Sequence, residues 1–216
     1  MSCARFTHTW CPVANGLVEA VLRDADDDDA AAVLALNNAC VPAVGAVDLE
    51  KMRWFLDNCP YFRIVAVDER RAPRESAVNG PTGERSPDEG RTNADGPIVE
   101  GVPEHSNLAG FLIAMTPECD YWSSNFKWFR ERSADFVYID RIAVSPWFRK
   151  RGIAARLYAD IEKYARSLGA KRLTLEVNVR PRNEVSLAFH DRMGFTALEE
   201  RETEYGARVV MMEKML

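Results

Sequence analysis

Val144-Ser-Pro-Trp-Phe-Arg-Lys-Arg-Gly-Ile-Ala154 is the stretch on which the reading of this chain turns. The residues before it, Phe136–Val144 (FVYIDRIAV), are rich in β-branched and aromatic side chains and predict a strand. After it, Arg151–Leu168 sets Ile153, Leu157, Ile161 and Leu168 on one helical face, and Gly169 supplies the stop. Arg172–Val177 predicts a second strand. Asn183–Met193 predicts a second helix, capped by Asn183 and ended by Gly194. Strand, helix, strand, helix in that order implies a βαβ unit with neighbouring parallel strands.

Working outward, Phe195–Glu200 and Ala207–Lys214 predict a closing antiparallel pair. Toward the N-terminus, Leu17–Leu22 and Phe62–Val67 read as strands and Asp26–Ala39 as a helix. Asp48–Asp57 reads as a second helix, with Leu49, Met52, Phe55 and Leu56 at helical spacing. The acids Asp26 to Asp29 suit the positive end of a helix dipole, a simpler reading than a metal site. Leu108–Met115 (LAGFLIAM) resumes the sheet, and Tyr121–Arg132 (YWSSNFKWFRER) is a partly helical aromatic excursion. That excursion is a cover over the sheet, a wall of an acceptor pocket or a homodimer contact. Between the strands, Glu69–Asn107 is rich in Pro, Gly, Ser, Asn and charge and lacks aromatic residues. Such composition buries too little surface to offset ordering entropy, so a disordered insertion is expected there. The expected organisation is an N-terminal extension, residues 1–16, then one domain, residues 17–216, interrupted at 69–107.

The 216 residues are 47% apolar, enough for one sizeable core. A net charge of -5 argues against a nucleic-acid footprint, which needs a basic face. No apolar run approaches the roughly 20 residues of a membrane span, and Met1–Gly16 lacks the apolar stretch of a secretory signal. The five cysteines form no C-x-x-C pair and read as reduced thiols of a cytoplasmic protein. His8, His105 and His190 are far apart and show no metal-ligand spacing, so no metal is expected.

The loop carries the first chemical signal. N–H groups at a helix start lack intrahelical partners and can hold an anion. Gly152 and the small Ala154 admit a ligand to the backbone, and Arg149, Lys150 and Arg151 add positive charge. A pyrophosphate fits such a site; so does no ligand at all, since an ordinary helix can begin with a basic turn. The ATP-loop and dinucleotide fingerprints are both absent.

Arg149-x-x-Gly152-x-Ala154, following Ile142-Ala143-Val144-Ser-Pro, resembles the GNAT acetyltransferase signature [QR]-x-x-G-x-[GA]. Leu175-Glu-Val, Asn183-x-x-Ser186-x-x-Phe189-His190 and Gly194-Phe195 resemble that superfamily's second motif. Leu36-Asn-Asn-Ala-Cys-Val-Pro42, Ser123–Arg130, Tyr138-x-Asp140-Arg141 and Ser186–His190 are similar to a group of largely uncharacterised predicted acetyltransferases within it. The resemblance implies a mixed α/β (α+β) fold with a centrally splayed sheet of six to seven strands flanked by helices. It implies acetyl-coenzyme A as co-substrate and an amine, small-molecule or protein, as acceptor.

It also implies site residues. The end of the first strand, Ile142, Ala143 and Val144, pairs with the pantetheine arm. Arg149, Lys150, Arg151, Gly152, Ile153 and Ala154 hold the pyrophosphate, and Asn183, Ser186 and Phe189 lie near the arm. An amine attacks the thioester directly, and its ammonium form, pKa about 10.4, must first lose a proton. Glu176 and Asp140 occupy positions where members of the family carry an acid; the base is one of them, unless it is spent in an ion pair, with Arg141 or Arg180 for instance, or else a water-relayed base. His190 stands where the family usually has a tyrosine that protonates the leaving thiolate; a histidine can take that role or merely hydrogen-bond on a helix face. Asn183 comes seven positions after Glu176, with Pro181 between them, where the shorter family pattern has five. The rival readings are an acyl-coenzyme A sensor without catalysis and an interaction protein working through residues 69–107. If the loop holds coenzyme A, Gly152→Glu should abolish its binding by steric block and charge repulsion. Calorimetric titration of the folded variant checks this, and unchanged affinity would exclude the loop.

Overall fold

The computed structural model describes residues 20–67 and 107–216. Its elements are β1 (Ala20–Asp24), α1 (Ala30–Ala39), α2 (Leu49–Asn58), β2 (Tyr61–Val67), β3 (Leu108–Met115), α3 (Ser124–Arg130) and β4 (Phe136–Val144). Then follow α4 (Ile153–Ser167), β5 (Arg172–Arg180), α5 (Glu184–Arg192), β6 (Thr196–Glu202) and β7 (Arg208–Met215). The seven strands form one sheet in the order β1-β2-β3-β4-β5-β7-β6, within the six to seven strands that the motif resemblance implied. Every neighbouring pair is antiparallel except β4 and β5, the parallel pair expected of the βαβ unit.

Each face of the sheet has its own core. On one, α4 buries Ile153, Leu157, Tyr158, Ile161 and Ala165 against Val137, Ile139, Leu173 and Leu175. On the other, α1, α2 and α3 lay Val33, Leu36, Met52, Phe55, Phe126 and Phe129 over Phe111, Phe136, Tyr138 and Met211. A large apolar side chain fully withdrawn from water contributes about 1.5–3 kcal/mol, so both helix layers help to hold the sheet between them.

Several boundaries differ from the sequence expectation for local reasons. The acidic run at Asp26 forms a 3-10 turn, Asp27–Asp29, before α1 begins at Ala30. Asp26 caps the turn, Asp29 accepts from the Asp26 N–H, and Arg23 holds Asp29 at 2.6 Å. The acids are therefore capping and pairing groups. α4 starts at Ile153 and not Arg151, because Lys150 (φ 60°) and Gly152 (φ 76°) are left-handed and cannot join a right-handed helix. The first strand begins at Ala20; its expected start at Leu17 lies outside the described residues, as do residues 1–16. Most of the stretch 69–107 is also outside them. Its flanks are described and sit side by side, for the Val67 N–H donates to the Asn107 carbonyl at 2.6 Å.

One strand irregularity shapes everything beside it. The β3–β4 register shifts so that Ile113 faces Arg141 and Ala114 faces Ile139, leaving Asp140 as an extra residue in β4. Such a bulge bends its strand and increases the local twist. β4 pairs with β5 only from Phe136 to Tyr138 against Arg172 to Thr174. Past the bulge the two strands part, β4 staying with β3 and β5 with β7.

The β3–β4–α4 junction at this point is tight. A Cβ on Gly110 would lie 2.8 Å from the Ala143 carbonyl oxygen and 3.1 Å from Ile153 Cγ2. The nearest obstacle is backbone, which cannot swing aside. Gly110→Ala should therefore destabilise the protein by about 1–3 kcal/mol, read by chemical denaturation.

Candidate active site

The bulge and the parting of the strands bring two carboxylates onto the face covered by α1, α2 and α3. Along β5, Leu175 and Val177 point into the α4 core, so the intervening Glu176 points to the opposite face. There Tyr138 donates to both Glu176 oxygens at 2.9 and 2.8 Å, and the Asn125 amide of α3 donates to Oε1 at 2.9 Å. All partners of this carboxylate are uncharged. Asp140 is different: Arg141 Nε reaches its Oδ2 at 2.6 Å and the Tyr121 hydroxyl its Oδ1 at 2.7 Å. Arg141 is itself buried over the Phe55 ring and also donates to Asn37 Oδ1 and the Gly45 carbonyl.

These surroundings separate the two acids chemically. Burial among protein groups, helped by the nearby Asp140 charge, pushes the Glu176 carboxyl up to about 7 from 4.5. The Asn125 and Tyr138 hydrogen bonds and the Arg141 charge pull the other way and lose. Burial also raises the phenols of Tyr121 and Tyr138, next to Asp140 and Glu176 respectively, so both remain protonated donors. Tyr205, exposed in the β6–β7 turn, feels the Glu176 charge and interacts with Asn125, which places that turn at the rim of the same cleft.

At the far end of the gap lies the basic loop. Arg149, Lys150, Arg151 and Gly152 are exposed, and no side chain caps α4. Left-handed residues on both sides of Arg151 make the kind of turn in which successive N–H groups converge on an anion. Ile142, Ala143 and Val144 lie on the stretch of β4 that β5 has left, so their backbone edge is open to an extended ligand. Ile153 is buried and Ala154 half-buried in the first turn of the helix. The α1–α2 connection bridges the mouth: Asn178 of β5 donates to the Pro42 carbonyl at 3.1 Å, and Cys40 lies beside Arg149.

The second motif packs its side chains within the α4–α5 layer. Asn183 caps α5, its side chain accepting from the Ser186 N–H at 3.1 Å. Phe189 packs edge-on to Tyr158. His190 is buried in the α4 core, on the other side of β5 from Glu176. Its Nδ1 donates to the Ser186 carbonyl at 2.8 Å, with Ser186 Oγ at 3.2 Å. Nε2 is thereby left to accept from the Tyr158 hydroxyl at 2.6 Å. Burial holds the imidazole near a pKa of about 4, hence neutral. Both ring nitrogens are spent, so the structure does not unite His190 with the acids as a proton donor. The residues that do complete the acid cluster, Tyr138, Tyr121 and Asn125, are ones that sequence reasoning gave no role, although Tyr138-x-Asp140-Arg141 and Ser123–Arg130, which holds Asn125, are among the stretches that carried the resemblance. Among the described residues no His, Cys, Asp and Glu group is arranged to hold a metal ion, and no helix is long and apolar enough to cross a membrane.

Residues 49–195 match the model of the acetyltransferase (GNAT) family, and the chain belongs to it. Over 67 residues it is 30% identical to aminoglycoside N(6')-acetyltransferase type 1 of Salmonella typhimurium, a match covering 31% of this chain and 45% of that protein. The chain thus spans about half the length of this curated relative. Among solved structures it resembles the NatC complex bound to Gag peptide and coenzyme A, with TM-score 0.58, 15% identity, and 91% and 98% of the two chains covered. It likewise resembles a ribosomal-protein-alanine N-acetyltransferase from Brucella melitensis, with TM-score 0.54, 20% identity, and 90% and 99% covered. These structural likenesses establish the fold.

The shifted carboxylate has a stability signature. An acid whose value is raised on folding binds its proton more tightly in the native state, so its contribution is complete below about pH 4.5 and is lost as pH rises through about 7. Glu176→Gln has no such loss. The variant's thermal midpoint should gain on the wild type across that window and hold a constant offset outside it. A pH-independent offset would show that the carboxylate is not perturbed.

Proposed function

We propose that this chain transfers the acetyl group of acetyl-coenzyme A to a primary amine by direct attack, with Glu176 as the base. The observation that carries the reading is a carboxylate poised near neutrality, held by uncharged donors, beside the gap between β4 and β5. Acetyl-coenzyme A supplies the activated thioester. Ile142, Ala143 and Val144 would receive its extended arm along their open edge, and the N–H groups and cations of Arg149 to Ala154 its phosphates.

Glu176 takes the proton of the incoming ammonium, directly or through one water. The free amine then forms the C–N bond as the thioester C–S bond breaks. The second amine proton is lost, and coenzyme A leaves as a thiolate that is protonated from solvent. An acid near pH 7 is half ionised there, which balances availability as a base against strength. Tyr138 and Asn125 fix the carboxylate's orientation and leave it able to accept a further proton. Asp140 is committed to Arg141, and the pair anchors the α1–α2 connection that borders the cleft. Asp140 therefore shapes the acceptor side without abstracting a proton. The acceptor is an amine of a small molecule or a peptide; the relatives named above act at one or the other according to their names, and the exposed Tyr205 and Trp122 at the rim suit either.

Thiol release from acetyl-coenzyme A with a panel of amines tests this. Glu176→Gln should lower turnover by a factor on the order of 10² to 10⁴ and keep coenzyme A affinity. Activity should return in part at high pH, where the amine loses its proton unaided. Asp140→Asn should chiefly lower stability and raise the acceptor KM, since it leaves a buried guanidinium without its counter-charge. Thiol release with no amine, or full turnover in Glu176→Gln across pH, would overturn the proposal.

A further inference from the structure

A cavity of about 310 Å³ lies on the same face of the sheet as Glu176, toward the N-terminal end of β5 at Arg172 and Thr174. Trp128 and Phe129 of α3, Phe136 of β4 and Leu198 of β6 form its apolar walls. It is separate from the acetyl-transfer cleft. Here β4 and β5 are still hydrogen-bonded to each other, Phe136 to Arg172 and Tyr138 to Thr174. The Phe129 ring, 6.0 Å from Tyr138 and 6.3 Å from Phe136, lies against the residues that stand between the two sites.

The polar groups of this cavity lack partners of one kind. Four buried side-chain polar atoms among the described residues have no hydrogen-bond partner; two of them, Thr174 Oγ1 and Arg172 Nε, belong to residues that line the cavity, and a third, Arg201 Nη1, lies just outside its lining. Thr174 lines the cavity and is 1% exposed. Arg172 also lines it; its Nη1 binds Glu213 at 3.0 Å, while its Nε has only Asp135 at 3.5 Å, too long and misaligned for a hydrogen bond. Arg201 flanks the other side of the wall, its guanidinium 5.7 Å from the centre of the Trp128 ring. The two guanidinium nitrogens can only donate, and the threonine hydroxyl can donate, so what is missing is an acceptor. Leaving such donors buried and unmade costs their full desolvation.

The charges lining the cavity cancel. Arg132 lies flat on Trp128 at 3.7 Å and Arg172 is tied to Glu213, while Glu199 stands exposed at the mouth. A charged ligand would meet as much repulsion as attraction. We propose that this cavity is a second ligand site, taking a small neutral aromatic molecule that carries a carbonyl oxygen, of which an aromatic carboxamide is the simplest form. The ring fills the space between Trp128, Phe129 and Phe136. The carbonyl oxygen accepts from Thr174 and Arg172, and the amide N–H faces Glu199.

Calorimetric titration of the intact protein with benzamide, benzoate and toluene tests the site. Benzamide should bind saturably, in the micromolar to low-millimolar range, and about tenfold more tightly than either benzoate or toluene. Thr174→Val keeps the shape and removes the hydroxyl; it should weaken benzamide about tenfold and leave toluene unchanged. Leu198→Trp, at a rim position that is 46% exposed and will not disturb folding, should obstruct the entrance and weaken all three. No saturable binding of benzamide would overturn the proposal, the donors then being served by water. So would benzoate binding more tightly than benzamide, or unchanged affinities in Leu198→Trp.

Discussion

β4 and β5 are hydrogen-bonded over Phe136–Tyr138 and Arg172–Thr174, and the rest of the architecture depends on where that pairing stops. The stop has a local cause in the extra residue at Asp140, which bends β4 while β3 holds it on its other edge. A bent β4 cannot follow β5, and a sheet that remained zipped would offer no open backbone edge at Ile142–Val144. The same bulge turns Asp140 and Arg141 toward the α1–α2 layer, where Arg141 reaches Asn37 and Gly45. One inserted residue therefore creates both the gap and the anchorage of the segment that borders it.

The two acids of the cleft show how environment assigns roles to identical chemistry. Asp140 has a guanidinium at 2.6 Å and a phenol at 2.7 Å; its charge is compensated, and its value to the protein is structural. Glu176 has an amide and a phenol, which orient it without neutralising it, and burial then lifts its pKa to about 7. Asp140 also acts on Glu176, since its charge is among the causes of the Glu176 shift. α3 is the element that joins these effects. It delivers Asn125 to Glu176 from one end and walls the second cavity with Trp128 and Phe129 from the other.

Element order, the parallel βαβ unit and the basic loop were legible in the sequence because each is written in adjacent residues. Periodicity marks α4, Asn183 and Gly194 bracket α5, and Gly152 with its cations marks the loop; family membership followed from the same motifs. Local signals also erred locally, as where Lys150 and Gly152 take left-handed conformations and delay the start of α4 to Ile153. What only the tertiary structure decided is which functional groups meet. Asn125 and Glu176 are 51 positions apart, Tyr138 and Glu176 are 38 apart, and Asn37 and Arg141 are 104 apart. His190 makes the same point in the opposite direction. Its place in the motif suggested a proton donor, but Tyr158, a turn of another helix away, takes its Nε2 and Ser186 its Nδ1. Motif spacing records the backbone positions of a site. Protonation and hydrogen bonding depend on burial and on partners brought in by distant segments, and those exist only once the sheet has folded between its two layers of helices.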